Sequence, residues 1–145
     1  MIRVMVAEDH TIVREGIKTL LGMCHDLQVV GEAGNGEQLL ECLRRTPCDV
    51  VLLDISMPGV NGLEAIPRIR ALADAPAILV LSMHDEAQMA ARALKVGAAG
   101  YATKDSEPAL LITAIRKVAA GGRYIDPALA DRMVFEVGLT DSRPL

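Results

Sequence analysis

The stretch V-V-L-L-D at Val50 to Asp54 is apolar at four consecutive positions and ends on a carboxylate. A strand with one wet face alternates apolar and polar residues, so an unbroken run is the mark of a strand covered on both faces. Four further runs resemble it on either side. Including the central one, the runs are Arg3 to Ala7, Gln28 to Ala33, Asp49 to Leu53, Ile78 to Leu81 and Gly100 to Thr103, and they begin 21 to 29 residues apart. Each gap holds a stretch of helical periodicity: Val13, Ile17, Leu20, Leu21 and Cys24; Leu39, Leu40 and Leu43; Leu63, Ile66 and Ile69; Met89, Ala93 and Leu94; and, after the last run, Leu111, Ala114, Ile115 and Val118. Strands alternating with helices predict βα units and a parallel sheet with helices on both faces.

The punctuation agrees with this division. Gly97 follows the fourth helical stretch and Gly121-Gly122 the fifth, where a helix end favours glycine. Ser106 is read as the N-cap of the fifth helix, with Pro108 in its first turn. The glycines of G-E-A-G-N-G at Gly31 to Gly36 are read as turn residues, since they lack the dinucleotide-binding spacing. Beyond residue 124 the pattern changes. Asp126-Pro127 is a helix-start signal, and Leu129, Met133 and Val137 share a face, so a short amphipathic helix is expected from Asp126 to Val137, closed by Gly138. Its apolar stripe is expected to dock on this domain or a second copy, or to order only beside a further domain. The expected division is a domain over residues 1–124 and a linker over 125–145.

Composition narrows the classes. The chain has 145 residues, 51% hydrophobic and 23% charged, with a mean hydropathy of +0.30, which excludes a disordered chain. No apolar run approaches the roughly 18 residues that a membrane helix needs. No signal peptide is read at the start, so a cytoplasmic protein is expected. The net charge of −4 argues against broad phosphate-backbone binding by this chain, and no stretch reads as a basic recognition helix. Only Tyr101, Tyr124 and Phe135 are aromatic, so stacking platforms for bases or flavins are nearly absent. Cys24, Cys42 and Cys48 show no zinc-type pairing and are read as reduced thiols.

In open parallel sheets, ligands bind beyond the C-terminal ends of the strands. The first run delivers Glu8 and Asp9 there, the third Asp54, the fourth Ser82, and the fifth Thr103 and Lys104. Three carboxylates at close range raise one another's pKa, and a divalent cation resolves the conflict. Mg2+ suits an all-oxygen donor set and keeps waters for a phosphate ligand. Three carboxylates against Mg2+ and Lys104 balance to zero, an arrangement suited to phosphoryl transfer. Asp54 can then serve as the nucleophile, forming an aspartyl phosphate, with Ser82 hydrogen-bonded to the attached group.

The motifs carrying these residues resemble those of the receiver domain of two-component response regulators. They are V-M-V-A-E-D-H at Val4 to His10, V-V-L-L-D-I-S-M-P-G-V-N-G at Val50 to Gly62, L-S-M-H at Leu81 to His84 and G-A-A-G-Y-A-T-K-D at Gly97 to Asp105. The phrases V-V-G-E-A-G-N-G and I-R-K-V-A-A-G-G-R-Y-I further resemble the NarL/FixJ subfamily, whose members usually carry a C-terminal LuxR-type helix-turn-helix domain. The resemblance implies a flavodoxin-like sheet of five parallel strands in the order 2-1-3-4-5. It implies Asp54 as phosphoacceptor; Glu8, Asp9, Asp54 and the backbone carbonyl of Ser56 as Mg2+ ligands; and Ser82 and Lys104 as phosphoryl contacts. Tyr101 is then the switch aromatic that follows Ser82, while Pro58 and Gly62 shape the loop after Asp54. The expected function is phosphorylation-controlled transcription regulation: a sensor histidine kinase donates the phosphoryl group, activation favours a homodimer, and DNA is bound through a domain outside this chain. The receiver is a signalling protein that catalyses only its own phosphorylation and dephosphorylation. Kinase choice is expected on the first helix, at Thr11, Arg14, Glu15 and Lys18.

The sequence departs from the resemblance in two places. Many receivers have Lys-Pro, often cis, where this chain has Lys104-Asp105, and a cis bond before a non-proline residue is costly. Met83, after the switch hydroxyl, replaces a commonly small residue and is expected to narrow access to the acyl phosphate. Two enzyme-like or carrier-like alternatives fit less well. A haloacid-dehalogenase-type phosphatase needs a second Asp two residues after the nucleophile, and that position is Ser56. A flavodoxin-like flavin carrier needs a hydroxyl-rich first loop, and this one is E-D-H. A degenerate receiver serving only as an interaction module would lack some of the five site residues, all of which are present.

Overall fold

The computed structural model describes residues 1–57, 62–83 and 87–133. The central run is β3 (Val50–Asp54), every residue of which is buried. Around it, in chain order, stand β1 (Ile2–Ala7), α1 (Thr11–Gly22), β2 (Leu27–Ala33) and α2 (Gly36–Arg45), then α3 (Gly62–Arg70), β4 (Ala77–Ser82), α4 (Ala87–Lys95), β5 (Gly100–Thr103) and α5 (Pro108–Ala119). A two-residue strand, β6 (Tyr124–Ile125), and a helix, α6 (Pro127–Met133), follow. The strand order is β2-β1-β3-β4-β5-β6, with every pair parallel. The expected five-stranded order is therefore present, with β6 added at the β5 edge.

The pleat divides the core in two. Val4, Val6, Val50, Leu52, Leu79 and Leu81 face α1 and α5. Met5, Ala7, Val51, Leu53, Ile78 and Val80 face α2, α3, α4 and Leu129 of α6. The helix stripes face the core, with Val13, Leu20, Leu43 and Leu63 at its margin, and on α4 the buried residues are alanines. There Ala87, Ala90 and Ala93 are buried, whereas Met89 and Leu94 only flank the core. Alanines every third residue let this helix sit close to the sheet, so its larger side chains lie at the margin rather than beneath it.

Two local readings change. Gly31 is not a turn residue: it lies within β2 where the β1–β2 register slips, between the Val4–Val29 and Met5–Gly31 pairs. A Cβ there would stand 2.7 Å from Met5 Sδ, so the glycine makes room for a buried methionine. Ser106 is not a helix cap. Glu107 occupies that position, and Ser106 Oγ instead bonds to Asp126 Oδ2 at 2.7 Å and lies 3.0 Å from Thr103 Oγ1. The cap role loses because two polar partners, one of them beyond α5, draw the hydroxyl away.

The last helix begins at Pro127, beside the expected Asp126, whose Oδ1 accepts from Ala128 N–H at 3.1 Å. It packs on α4, and Leu129 is buried at 2% exposure. Val137 and Gly138 lie outside the described residues. All three cysteines are free thiols, and burial pushes Cys48 up to about 11. No helix of the described residues is long and apolar enough to cross a membrane.

Candidate functional site

Parallel pairing brings the C-terminal ends of β1, β3, β4 and β5 to one edge of the sheet. Asp54 ends β3, and Glu8 follows the last residue of β1, which pairs with Leu53. Lys104 follows β5, and its N–H donates to the Ser82 carbonyl at 2.7 Å, tying the β4 and β5 tips together. Their side chains meet. Lys104 Nζ lies 2.6 Å from Glu8 Oε1 and 3.1 Å from Asp54 Oδ2, with the lysine side chain only 6% exposed. Asp54 Oδ1 accepts from the Ser56 N–H at 2.9 Å.

This arrangement governs the charge states. Burial pushes the Asp54 carboxyl up, but the Ser56 N–H and the Lys104 ammonium outweigh it and hold the group below its ordinary value. Burial likewise opposes the charged form of Lys104, and Glu8 and Asp54 reverse that, holding the ammonium above its ordinary value. The Lys104 ammonium is thus shared by two carboxylates, Glu8 and Asp54, which leaves a formal excess of one negative charge at this contact.

The donor set fits a hard divalent cation. Glu8, Asp9, His10 and Asp54 each offer a ligand atom, all within 4.8 Å of one another. Asp9 Oδ1 is buried and accepts no hydrogen bond among the described residues, and His10 Nδ1 lies 3.3 Å from it. Three carboxylates of this kind suit Mg2+.

His10 is the residue that sequence reasoning left without a role. Its N–H donates to Glu8 Oε2 at 3.0 Å and its ring Nδ1 lies 2.8 Å from the same oxygen. The bond to Glu8, and then the charges of Asp9 and Glu8, hold the imidazole above its ordinary pKa. The available signal was its position immediately after an acid pair at a strand end.

The other expected residues fall as follows. Ser82 is fully buried at the end of β4, in register with Thr103. Tyr101 is fully buried in β5, in the same core cluster as Leu129. Gly62 is the first residue of α3. Pro58 and His84 lie outside the described residues. Met83 is 70% exposed. The Lys104–Asp105 peptide is trans. On α1, Thr11 and Glu15 are exposed as expected, and Ile12 is 88% exposed. Arg14 and Lys18 are not free surface charges. Arg14 Nε lies 3.0 Å from Glu32 Oε1, and Lys18 Nζ lies 2.8 Å from Glu32 Oε2, because β2 presents its one acidic side chain beneath that face of α1.

Residues 4–116 match the response regulator receiver domain. The chain belongs to that family. It is 42% identical over 134 residues to the response regulator UvrY of Escherichia coli K12, an alignment covering 92% of this chain and 61% of UvrY. The chain thus spans about three-fifths of the length of that relative. A two-component response regulator of the LuxR family from Aurantimonas sp. SI85-9A1 superposes with a TM-score of 0.89 at 38% identity, covering 94% of this chain and 97% of that one. The Salmonella typhimurium RcsB response regulator, in a structure described by its conformational dynamism for DNA interaction, gives a TM-score of 0.86 at 26% identity. That match covers 98% of this chain and 71% of RcsB. With the nitrate/nitrite response regulator NarL of Escherichia coli K12, 40% identical over 126 residues, these relatives place the receiver in the NarL/FixJ (LuxR-type) subfamily of response regulators.

Proposed function

We propose that this receiver accepts a phosphoryl group on Asp54 from a sensor histidine kinase, with Mg2+, and so controls a DNA-binding domain outside the chain. The observation that carries the reading is the meeting of Glu8, Asp54 and Lys104, with Lys104 Nζ 3.1 Å from Asp54 Oδ2, at the strand-end edge of the sheet. Glu8, Asp9, Asp54 and the Ser56 carbonyl are the proposed metal ligands. Mg2+ bound there supplies charge neutralisation for the phosphoryl oxygens.

The chain's own groups account for the rest. Asp54 is held ionised and therefore nucleophilic. Its oxygen forms the new bond to phosphorus as the bond from phosphorus to the donor's imidazole nitrogen breaks, and the electron pair leaves with the imidazole. Lys104, now shared between Glu8 and Asp54, can turn its ammonium to a phosphoryl oxygen without leaving the site. Ser82 closes on another oxygen. The group adds about one further negative charge at neutral pH, which favours that closure. Hydrolysis of the acyl phosphate resets the switch. These are the only reactions the receiver catalyses.

The closure is read out on the α4–β5 side, where Tyr101 sits. Reversing a 1:99 population takes about 5.5 kcal/mol, more than one hydroxyl contact supplies, so activation is partial and a minor active state precedes phosphorylation. The exposed Thr11, Ile12 and Glu15 of α1 are the proposed kinase-facing positions. A homodimer on activation and a helix-turn-helix output follow the LuxR-family likeness, and a cytoplasmic location suits both.

Incubation with acetyl phosphate and Mg2+ is expected to add the mass of one phosphoryl group, and Asp54→Asn to abolish the addition, since an amide cannot form the acyl phosphate. Equal labelling of that variant would overturn the assignment.

A further inference from the structure

Arg14 is an unusual residue to find in the first turn of α1. That end of a helix carries the positive pole of the backbone dipole and disfavours cations, and α1 has no acidic residue there to compensate. The side chain is nevertheless only 21% exposed. Its guanidinium turns away from solvent and makes two contacts at once. Nη1 donates to the backbone carbonyl of Glu8 at 2.7 Å, and Nε lies 3.0 Å from Glu32 Oε1. The turn after β2 leaves space for it: a Cβ on Gly34 would stand 3.4 Å from Arg14 Nη1. Arg14 and Asp9 line the same open polar cavity between α1 and β2.

Glu8 and Asp9 lie between the end of β1 and the start of α1, so their side chains are aimed by a short irregular segment. Its other anchors are the Glu8 N–H, which donates to the Ala33 carbonyl at 2.9 Å, and the His10 N–H on Glu8 Oε2. The Arg14 bond holds the one backbone carbonyl between the two acids.

We propose that Arg14 is a positioning residue for the metal site. Held by Glu32 on β2, it braces the Glu8–Asp9 corner through the Glu8 carbonyl and so raises the affinity for Mg2+. The inference rests on the metal reading above. Arginine suits the place because its rigid planar head spans both groups, Nη1 hydrogen-bonded to the Glu8 carbonyl while Nε faces the Glu32 carboxylate as an ion pair. Arg14 is thereby an internal strut rather than a kinase-reading surface charge.

The proposal and simple electrostatics predict opposite signs. Removing a cation beside a metal site should tighten Mg2+ if charge alone mattered, and should weaken it if the corner loses its brace. The test is a MgCl2 titration of the unphosphorylated full chain, followed by amide shifts of Asp54 and Ser56, for the parent, Arg14→Gln, Arg14→Lys and Glu32→Gln. Arg14→Gln is expected to weaken binding by about tenfold, the lower end of the range for partners that orient metal ligands. Arg14→Lys, which keeps the charge and loses the fork, should weaken it by less, and Glu32→Gln by less again. Thermal melting without Mg2+ reports any general loss of stability separately. A dissociation constant unchanged in the folded variants, or tightened in Arg14→Gln, overturns the brace. If Arg14→Gln does not fold, the Arg14→Lys and Glu32→Gln titrations decide by the same criterion. A parent that shows no saturable Mg2+ shift overturns the metal reading and the brace together.

Discussion

The strand-tip corner at Glu8, Asp54 and Lys104 and the sheet edge at β5, β6 and α6 are held together in opposite ways. At the corner, three ionised side chains are almost entirely removed from water. Each would be unfavourable there alone, and they persist because the Lys104 ammonium is shared by the two carboxylates. At the edge Tyr101 and Leu129 share a core cluster, Tyr124 N–H and Asp126 N–H donate to the Ala99 and Tyr101 carbonyls, both at 3.1 Å, and Ser106 Oγ ties Asp126 to the end of β5. The corner is built for a change of charge. The edge is ordinary packing laid against the strand that would report that change.

The largest effect is expected from removing the corner's cation. Lys104→Met leaves two buried carboxylates uncompensated and should cost roughly 3–5 kcal/mol without metal. Mg2+ should restore part of that loss, which urea unfolding with and without MgCl2 would measure. No restoration would mean that the metal and the lysine do not share the same carboxylates.

The edge should respond differently. Leu129→Ala removes a buried side chain, and roughly 2–3 kcal/mol is expected, the low end for buried leucine because the terminal helix can settle into the space. Asp54 labelling by acetyl phosphate should be retained. If it disappeared, the two regions would be one cooperative unit.

Gly100 sharpens the point within β5. A Cβ there would stand 2.9 Å from both Leu79 Cδ1 and the Tyr124 carbonyl oxygen. Gly100→Ala should therefore force β6 away at a cost of about 1–3 kcal/mol. Faster hydrogen exchange at the Tyr124 and Asp126 amides, with Lys104 N–H still protected, is the expected pattern.

The smallest effect belongs to a surface pair at the opposite ends of the strands. Asp49 accepts from Arg3 Nε at 3.2 Å and from the Arg3 N–H at 2.8 Å. These bonds, the side-chain one foremost, hold its carboxyl below the ordinary value. A carboxyl with a depressed folded-state pKa contributes stability above its unfolded pKa of about 3.9, and that contribution fades as pH falls through the folded value. The stability difference between parent and Asp49→Asn should therefore be greatest near neutrality and shrink below about pH 4. A difference that grew on acidification would contradict this sign.

Much of the corner was legible in the sequence because buried charge chemistry demands particular residue types. Glu8, Asp9, Asp54 and Lys104 each end or follow a run that reads as a strand, and parallel strands place their ends on one edge. Arg14 was misread because helical spacing marks it as exposed. Its inward turn depends on Glu32, eighteen positions away on a neighbouring strand. The edge was legible only in part. The apolar stripe of the last helix announces that it docks, and nothing in its pattern names α4 as the place.

By itself the sequence determined the alternation of strands and helices, the parallel sheet and the carboxylates at its strand ends, because those follow from periodicity and from where apolar runs stop. The tertiary structure alone decided that Ser106 bonds to Asp126 rather than capping α5, and that Gly31 accommodates Met5. It also decided that α4 meets the sheet on alanines, that Tyr124–Ile125 extends the sheet and that Leu129 joins Tyr101 in the core. Each depends on a partner distant in the chain, and a hydrogen bond or packing contact of that kind leaves no period in the sequence to be read.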